Sequence, residues 1–229
     1  MRIATFNVLH GRSPDDGRVD PDRLAAAVRT LDADVLGLQE VDRDQERSHG
    51  ADLTAVAAEA VGAVDARFVP AVDVPPGAPA CGIALVSRWA VTSWHVVRLP
   101  WSSIPVRDEP RVAVAAVLDG PFGPLTVCVT HLSFVPGRQV RQLRQVVRAL
   151  DRSPAPRLVI GDLNMGPGLA ALVSGLRPLA RALTFPADRP RAQRDHVLAD
   201  DGLTAAGPGE AVRLPLSDHR ALVVPVDPS

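Results

Sequence analysis

Short apolar runs alternate with amphipathic stretches along the whole of the 229-residue chain. Runs rich in Val, Ile and Leu and bounded by Gly, Pro or Asp are typical of β-strands. Such runs are "RIATFNV", "DVLGLQEV", "ARFVPAV", "CGIALVS", "VTSWHVVRL", "RLVIGD", "DHVLA", "AVRLPL" and "RALVVPV". The clearest hairpin spans residues 111–134, where two apolar runs flank a turn at 119–124 that is rich in Gly and Pro.

Helices are predicted between these strands. In the segment 20–31, Asp20 is a suitable N-cap and Pro21 suits the first turn, while apolar residues recur at helical spacing. Further helices are predicted at 50–62, at 137–153 with arginines on one side, and near 168–175. No repeat or long linker divides the chain, so we expect one domain over residues 1–229, an α/β (α+β) fold of two packed mixed sheets flanked by helices.

Composition narrows the function classes. Hydrophobic residues make up 46% of the chain, which is enough for a sizeable core. Lys and Arg total 25 against 26 for Asp and Glu, so the chain lacks the basic surplus of proteins that grip many phosphates and leaves room only for a local basic patch. Aromatic residues are 3% and Tyr is absent, which argues against a platform that stacks single-stranded bases.

The two cysteines, Cys81 and Cys128, lie inside apolar runs and could pair, but buried free thiols in a reducing compartment are the more ordinary interpretation. The N-terminus has no secretory signal pattern and no apolar stretch approaches membrane-spanning length. We therefore expect a soluble, cytoplasmic protein without a transmembrane segment, and no protein partner is evident.

Polar residues that could bind a ligand or take part in catalysis lie where predicted strands begin or end. They occur in six segments: Asn7, Gln39-Glu40, Thr130-His131, Asp162 with Asn164, Asp195-His196, and Ser217-Asp218-His219. Each has an ordinary structural explanation by itself: Asp162 and Asn164 suit an Asx turn, and His131 suits a hydrogen-bonded core. All six explanations would have to hold independently, and convergence of the strand ends in one cleft is the simpler hypothesis.

The residue types in this set favour one kind of chemistry. Carboxylate and amide oxygens without a Cys cluster suit Mg²⁺ or Mn²⁺ rather than structural zinc. Imidazoles beside such an ion suit phosphoester hydrolysis, in which proton transfer and charge neutralisation must coincide.

In their order along the chain these segments resemble the endonuclease/exonuclease/phosphatase superfamily. The motifs that carry the resemblance, between Thr5 and Val224, are "TFNVLHG", "LQEVD", "VTHLS", "GDLNMGP", "RDHVLA" and "LSDHRALV". The resemblance implies a four-layered α/β/β/α sandwich with the site at one end of the two sheets, and a divalent-metal-dependent phosphoesterase.

Roles follow from the resemblance residue by residue. Glu40 is similar to the principal metal ligand, with Asn7 beside it on metal or phosphate. Asp162 is similar to the residue that orients or deprotonates the attacking water, and Asn164 to a donor to a phosphate oxygen.

The remaining motif residues complete the implied site. His219 would contact the phosphate or act as general base, Asp195 would hold its ring, and Asp218 would add a metal-side carboxylate. His131 would stabilise the transition state or protonate the leaving oxygen. Whether Asp162 or His219 takes the proton stays open.

Three residues outside these roles carry weaker expectations. Arg111 is a candidate phosphate contact or a solvated strand-start arginine. Trp101 is expected to plug the core rather than to pack on a substrate. Arg194 stands where the family usually has an apolar residue, and strand alternation would place it on the face opposite Asp195.

The favoured substrate is a small or lipid-derived phosphoester, because the chain is near neutral, poor in aromatics and compact. The alternative is a nuclease acting on DNA or RNA with a basic rim formed by Arg138, Arg141, Arg144 and Arg148, although helical spacing favours a solvated face for these arginines. A catalytically inactive binder of phosphorylated ligands is the third hypothesis.

Overall fold

The computed structural model describes residues 1–104 and 108–229, which form four α-helices, two 3₁₀ turns and thirteen strands. The helices are α1 (Pro21–Leu31), α2 (Leu53–Val61), α3 (Arg138–Leu150) and α4 (Pro167–Ser174), and the 3₁₀ turns are Leu9–Gly11 and Glu46–Ser48. The strands are β1 (Arg2–Asn7), β2 (Val35–Arg43), β3 (Asp65–Pro70), β4 (Ala80–Ser87), β5 (Val91–Leu99), β6 (Arg111–Gly120), β7 (Gly123–His131), β8 (Arg157–Asp162), β9 (Arg177–Pro178), β10 (Asp195–Ala199), β11 (Leu203–Ala205), β12 (Glu210–Val212) and β13 (Ala221–Pro228).

These strands form two mixed sheets. The first has the order β11-β13-β1-β2-β4-β3, with β12 also paired to β13, and the second has the order β5-β6-β7-β8-β10-β9. Each sheet contains one parallel pair joined by a helical crossover, β1–α1–β2 in the first and β7–α3–β8 in the second. Because parallel strands end at the same edge of a sheet, Asn7 lies beside Gln39 and His131 beside Asp162.

The hydrophobic core fills three separate spaces. Side chains from both sheets, among them Leu85, Val114 and Ile160, pack between the sheets. A second cluster packs α1 and α2 on the outer face of the first sheet, and a third packs α3 and α4 on the outer face of the second sheet. The expected four-layered α/β/β/α sandwich is confirmed.

The helices form for the reasons that the sequence suggests. The carboxylate of Asp20 caps α1 by accepting bonds from the backbone N–H of Asp22 and Arg23, at 2.9 and 3.2 Å. In α3, Leu143 and Leu150 are buried together with Val146. The arginines at 141, 144 and 148 on the other side of α3 are exposed.

Three expectations need correction. β2 does not end at Glu40 but continues to Arg43 through a bulge, because its pairing with β4 shifts register there. The strand predicted at 211–216 is only the short β12, since the chain leaves the sheet after Val212. Trp101 does not plug the core, because it lies on the loop after β5 with 49% of its surface exposed.

Cys81 and Cys128 are both free thiols, the first half-buried and the second buried. Within the residues that the structure describes, no helix is long and apolar enough to cross a membrane.

Candidate active site

The strand ends of both sheets meet in one cleft. Asn7 and Glu40 reach it from the first sheet, and His131 and Asp162 from the second. The cleft is also lined by Arg111, Asn164, Arg194, Asp218 and His219. Asp195 is fully buried behind it and contacts His219. The structure therefore brings together the residues to which the resemblance assigns a role, together with Arg111.

Asn7 links the two sheets. Its Nδ2 donates to Oε1 of Glu40 at 2.9 Å and to Oδ2 of Asp162 at 3.3 Å. Its Oδ1 accepts from the backbone N–H of Leu9 at 3.2 Å, and its own carbonyl accepts from Oγ of Ser217 at 2.6 Å. The amide therefore holds a carboxylate from each sheet at a fixed spacing.

A β-bulge directs Glu40 into the cleft. Glu40 has a left-handed φ of 54°, and the register between β2 and β4 shifts between Gln39 and Val41. Gln39 stays fully buried and donates to Oγ1 of Thr5 at 3.1 Å. The extra residue of a bulge turns its side chain away from the regular alternation, which frees Glu40 to face the cleft.

Asp162, Asp195 and His219 form a buried cluster whose ligand atoms lie within 4.8 Å of one another. Nδ1 of His219 lies 2.9 Å from Oδ2 of Asp195, and Nε2 lies 3.6 Å from Oδ2 of Asp162. Burial, reinforced by the charge of Asp195, raises the pKa of Asp162 to about 7. Burial opposes the charged form of His219, but Asp195 outweighs it and raises the pKa of His219 to about 9.

His131 is the second histidine of the cleft. Nη1 of Arg111 donates to Nδ1 of His131 at 2.9 Å, and Nε2 lies 3.5 Å from Oδ2 of Asp162. Burial and then the Arg111 charge hold the pKa of His131 well below its ordinary value. Because arginine only donates, the ring is a neutral imidazole whose proton is on Nε2, pointing toward Asp162.

Asn164 combines the two explanations that the sequence leaves open. Its backbone N–H donates to Oδ1 of Asp162 at 3.0 Å, which is an Asx turn, and this bond orients the carboxylate in the cleft. Its Nδ2 donates to the carbonyl of Leu132 at 3.0 Å, and its Oδ1 accepts from Arg194. Turn and site are the same feature.

The donor set fits a hard divalent cation. Glu40 is partly exposed to the cleft, Asp218 is half-buried at its wall, and Oδ1 of the buried Asp195 has no hydrogen-bond partner among the described residues. The raised pKa of Asp162 reflects a buried carboxylate with too little positive charge around it, which a cation would supply. Oxygen and imidazole donors without thiolate match the preferences of Mg²⁺ and Mn²⁺.

His10 is a site residue that the sequence reasoning missed. Its Nε2 lies 3.5 Å from Oε2 of Glu40, and its Nδ1 lies 3.2 Å from Oδ1 of the buried Asp42. Asp42 is held by Arg47 through two bonds of 2.7 Å. The sequence offered one indication of this role, because His10 stands three residues after Asn7 in the same motif, "TFNVLHG".

His10, Asp42 and Cys81 also lie close enough together to be considered as metal ligands. Both carboxylate oxygens of Asp42 are occupied by Arg47, and burial raises the pKa of Cys81 to about 12, so the thiol is protonated. This group therefore supports Glu40 rather than forming a second metal centre.

The expectation that Arg194 points away from the site is wrong. Alternation governs residues inside a strand, but Arg194 precedes β10, and its backbone N–H is held by Oγ1 of Thr184 at 3.1 Å. Its side chain lines the cleft, bonds Asn164 and stacks on the ring of Phe185.

Comparison with known proteins agrees with this arrangement. The model of the Endonuclease/Exonuclease/phosphatase family matches residues 4–219. The chain belongs to this family. Its members are divalent-metal-dependent hydrolases that act on phosphoesters, and this chain has a buried cluster of acidic residues and histidine that could hold a metal ion.

Solved structures share the fold over the whole chain. An endonuclease/exonuclease/phosphatase from Beutenbergia cavernae DSM 12333 is 28% identical with a TM-score of 0.81, covering 100% of this chain and 72% of that one. A mannosyl-6-phosphatase from Bacteroides thetaiotaomicron is 15% identical with a TM-score of 0.76, covering 99% of each chain. Sphingomyelinase C from Streptomyces griseocarneus is 18% identical with a TM-score of 0.71, covering 98% of each. A search of curated proteins found no match to this sequence.

Proposed function

We propose that this family member is a Mg²⁺- or Mn²⁺-dependent hydrolase of small or lipid-derived phosphoesters that works by direct attack of water. The observation that carries the proposal is the meeting of Asp162, Asp195 and His219 within 4.8 Å, next to the Asn7–Glu40 pair. General acid–base groups and hard oxygen donors then surround one small volume, as phosphoester hydrolysis requires.

Glu40 and the adjacent Asn7, with Asp218 at the wall of the same cleft, would hold the cation. When bound, the cation neutralises phosphoryl charge and makes water more acidic. Asp162 faces both histidines, and its pKa near 7 suits proton exchange with a water. His219, charged and held by Asp195, would bind the phosphoryl group while Asp162 takes the proton of the water.

His131, which also faces Asp162, would donate a hydrogen bond to the leaving oxygen. Its neutral ring presents an Nε2 proton, and Arg111 fixes the ring through Nδ1. Arg111 also lines the cleft, so it would add positive charge beside the phosphoryl oxygens as the negative charge on them develops. Asn164 retains one amide N–H for a phosphoryl oxygen.

The space beside this group supports a small substrate. A cavity of about 370 Å³ adjoins Glu40, Arg111 and His131 and is bordered by apolar side chains such as Val72 and Ile83. A cavity of this size suits one organic group rather than a nucleic-acid strand.

The arginines of α3 do not favour the alternative function, a nuclease with a basic rim. Arg138 is committed to Asp108 at 3.1 Å, and Arg141, Arg144 and Arg148 lie on the exposed side of the helix. We therefore retain nuclease activity as an outcome of the test rather than as the favoured function.

The test compares bis(4-nitrophenyl) phosphate with supercoiled plasmid DNA, each with Mg²⁺, Mn²⁺ or EDTA. We expect metal-dependent turnover of the ester, and loss of at least about a hundredfold in Asp162→Asn, Glu40→Ala and His219→Ala. Asp201→Asn changes an exposed carboxylate far from the cleft and should retain wild-type rates, which controls for contaminating enzymes.

Metal-dependent nicking of plasmid that Asp162→Asn abolishes, without ester turnover, would favour the nuclease. An inactive wild type that still binds orthophosphate would instead favour a phosphate-ligand binder without catalysis.

A further inference from the structure

Arg194 is held rigidly at the wall of the cleft. Its Nη1 donates to Oδ1 of Asn164, and its guanidinium lies 4.4 Å from the ring centroid of Phe185. Phe185 in turn packs against His219, with ring centroids 4.8 Å apart. The guanidinium is therefore tied by two contacts to the groups on either side of Asp162.

Arg194 differs from the arginines whose guanidinium is paired with a carboxylate. Arg23, Arg47 and Arg88 are each paired with a carboxylate. Over the described ranges 1–104 and 108–229, by contrast, no carboxylate oxygen lies within 4 Å of the Arg194 guanidinium. Ordering a long side chain costs conformational entropy, and an ordered guanidinium with unused N–H groups at the wall of a cleft suits an anionic ligand.

The other guanidinium of the cleft belongs to Arg111, which contacts both His131 and a carboxylate. It begins β6, donates a hydrogen bond to the neutral ring of His131, and lies 3.5 Å from the carboxylate of Glu109. β6 and β10 are separated by β7 and β8, so Arg111 and Arg194 lie on opposite sides of His131 and Asp162. Arg194 thus adds a separate positive charge at the Asn164 side.

The charge of the substrate decides how much such a cation contributes. A phosphomonoester carries roughly −1.5 to −2 at neutral pH, because its second pKa is about 6. A phosphodiester carries a single negative charge. Coulomb attraction scales with the product of charges, so a fixed cation stabilises the monoester up to about twice as strongly.

We propose that Arg194 forms an anion subsite that selects phosphomonoester dianions over phosphodiester monoanions. Asn164 and Phe185 act as positioning residues for the guanidinium. The inference rests on the proposed phosphoesterase function for its catalytic consequence, whereas its binding consequence is measurable without turnover.

The kinetic test uses 4-nitrophenyl phosphate and bis(4-nitrophenyl) phosphate, which share a leaving group, at one pH with Mn²⁺. Arg194→Met keeps the stem on Phe185 but removes the charge, and Arg194→Lys keeps the charge but removes the planar fork. We expect the ratio of kcat/KM for monoester over diester to fall about tenfold in Arg194→Met, and by less in Arg194→Lys. Arg191→Met, an exposed arginine on the same loop that does not line the cleft, should leave the ratio unchanged.

Calorimetric titration of the same proteins with orthophosphate and dimethyl phosphate provides the second readout. We expect Arg194→Met to weaken orthophosphate binding about tenfold and dimethyl phosphate binding much less. Equal losses for both ligands and both esters, or no loss, would overturn the subsite. Absence of turnover of both esters in wild type, with orthophosphate binding that still depends on Arg194, would overturn the phosphoesterase proposal and leave the subsite standing.

Discussion

Around the cleft, several residues other than glycine adopt the left-handed backbone conformation, which L-residues avoid at a cost of roughly 1 to 3 kcal/mol each. They are Leu9, His10, Glu40, Asn164 and Ser217. Three of them direct polar groups of the site: Glu40 faces the cleft from its bulge, Asn164 closes the turn on Asp162, and Ser217 bonds the carbonyl of Asn7. Local strain is thus concentrated where the catalytic chemistry is proposed.

A substitution at His10 tests whether Glu40 needs support as a metal ligand, because the imidazole of His10 bridges Glu40 and the buried Asp42. Removing such a partner of a metal ligand costs about 10- to 100-fold in metal affinity. We expect His10→Asn, which tolerates the left-handed backbone, to weaken Mn²⁺ binding about tenfold by calorimetry and to raise the Mn²⁺ concentration needed for activity. His49→Asn is the matched control, since His49 has a similar φ of 56° but is exposed. Unchanged affinity in His10→Asn would show that Glu40 needs no such support.

Asp42 makes stability depend on acid pH. Burial opposes its charge, but the bonds from Arg47 and His10 prevail and lower its pKa from 3.8 to about 2. The folded state therefore favours the carboxylate, and the resulting stabilisation, about 2 kcal/mol, is complete above the unfolded pKa and lost as pH falls toward 2. Urea unfolding should show Asp42→Asn about 2 kcal/mol less stable than wild type at pH 7, with the gap narrowing below pH 4. A gap that is independent of pH would contradict this assignment.

Among the elements, the parallel strand ends create the site, and Gly161 lets them approach. Gly161 has φ +147°, and a Cβ there would lie 1.9 Å from the carbonyl oxygen of Thr130 on β7. That carbonyl belongs to the backbone of β7 and cannot move aside as a side chain could. Only glycine therefore allows β8 to place Asp162 beside His131.

Gly161→Ala should therefore destabilise the fold by about 3 kcal/mol and reduce ester turnover in the molecules that fold. Gly166→Ala meets no atom within 4 Å and should cost only the N-cap preference at the start of α4, about 0.5 to 1 kcal/mol, with turnover unchanged. Thermal unfolding followed by circular dichroism, with turnover measured well below the transition, separates the two effects. Wild-type stability in Gly161→Ala would mean that β7 and β8 can separate at no cost.

The elements also mark how far the sequence could be read. Alternation and breakers locate β1, β7, β8 and α1, because their burial is periodic and their ends carry caps or turns. The bulge at Glu40 is not visible, since it depends on pairing with β4. The direction of Arg194 depends on its contacts with Thr184 and Phe185, which lie outside β10. Strand periodicity does not include these contacts and therefore placed the side chain on the wrong face of the sheet.

In the whole molecule, two βαβ units, one in each sheet, present their strand ends to the same cleft. Asn7 then bonds Asp162 across the sheets, a contact between residues 155 positions apart. Motif order indicates that such residues share a site, but only packing of the intersheet core sets the distance between them. Hence motif order predicted most of the residues that meet at the cleft, whereas His10, the direction of Arg194 and the hydrogen bonds were not predictable from it.

The charge of the whole molecule leads to the last prediction. The chain has a net charge of −1, and the residues that line the cleft do not include the α3 arginines, so neither a basic surplus nor a basic rim formed by α3 favours a long phosphate backbone as ligand. For 4-nitrophenyl phosphate we expect kcat/KM to fall less than about fivefold between 50 and 200 mM KCl, because only local charges act on a small anion. A nuclease that neutralises six or more phosphates would lose about a thousandfold in affinity over the same range. Fluorescence anisotropy of a labelled duplex over this salt series supplies the comparison, and tight, steeply salt-dependent binding would mean that a nucleic-acid surface exists where neutral composition argues against one.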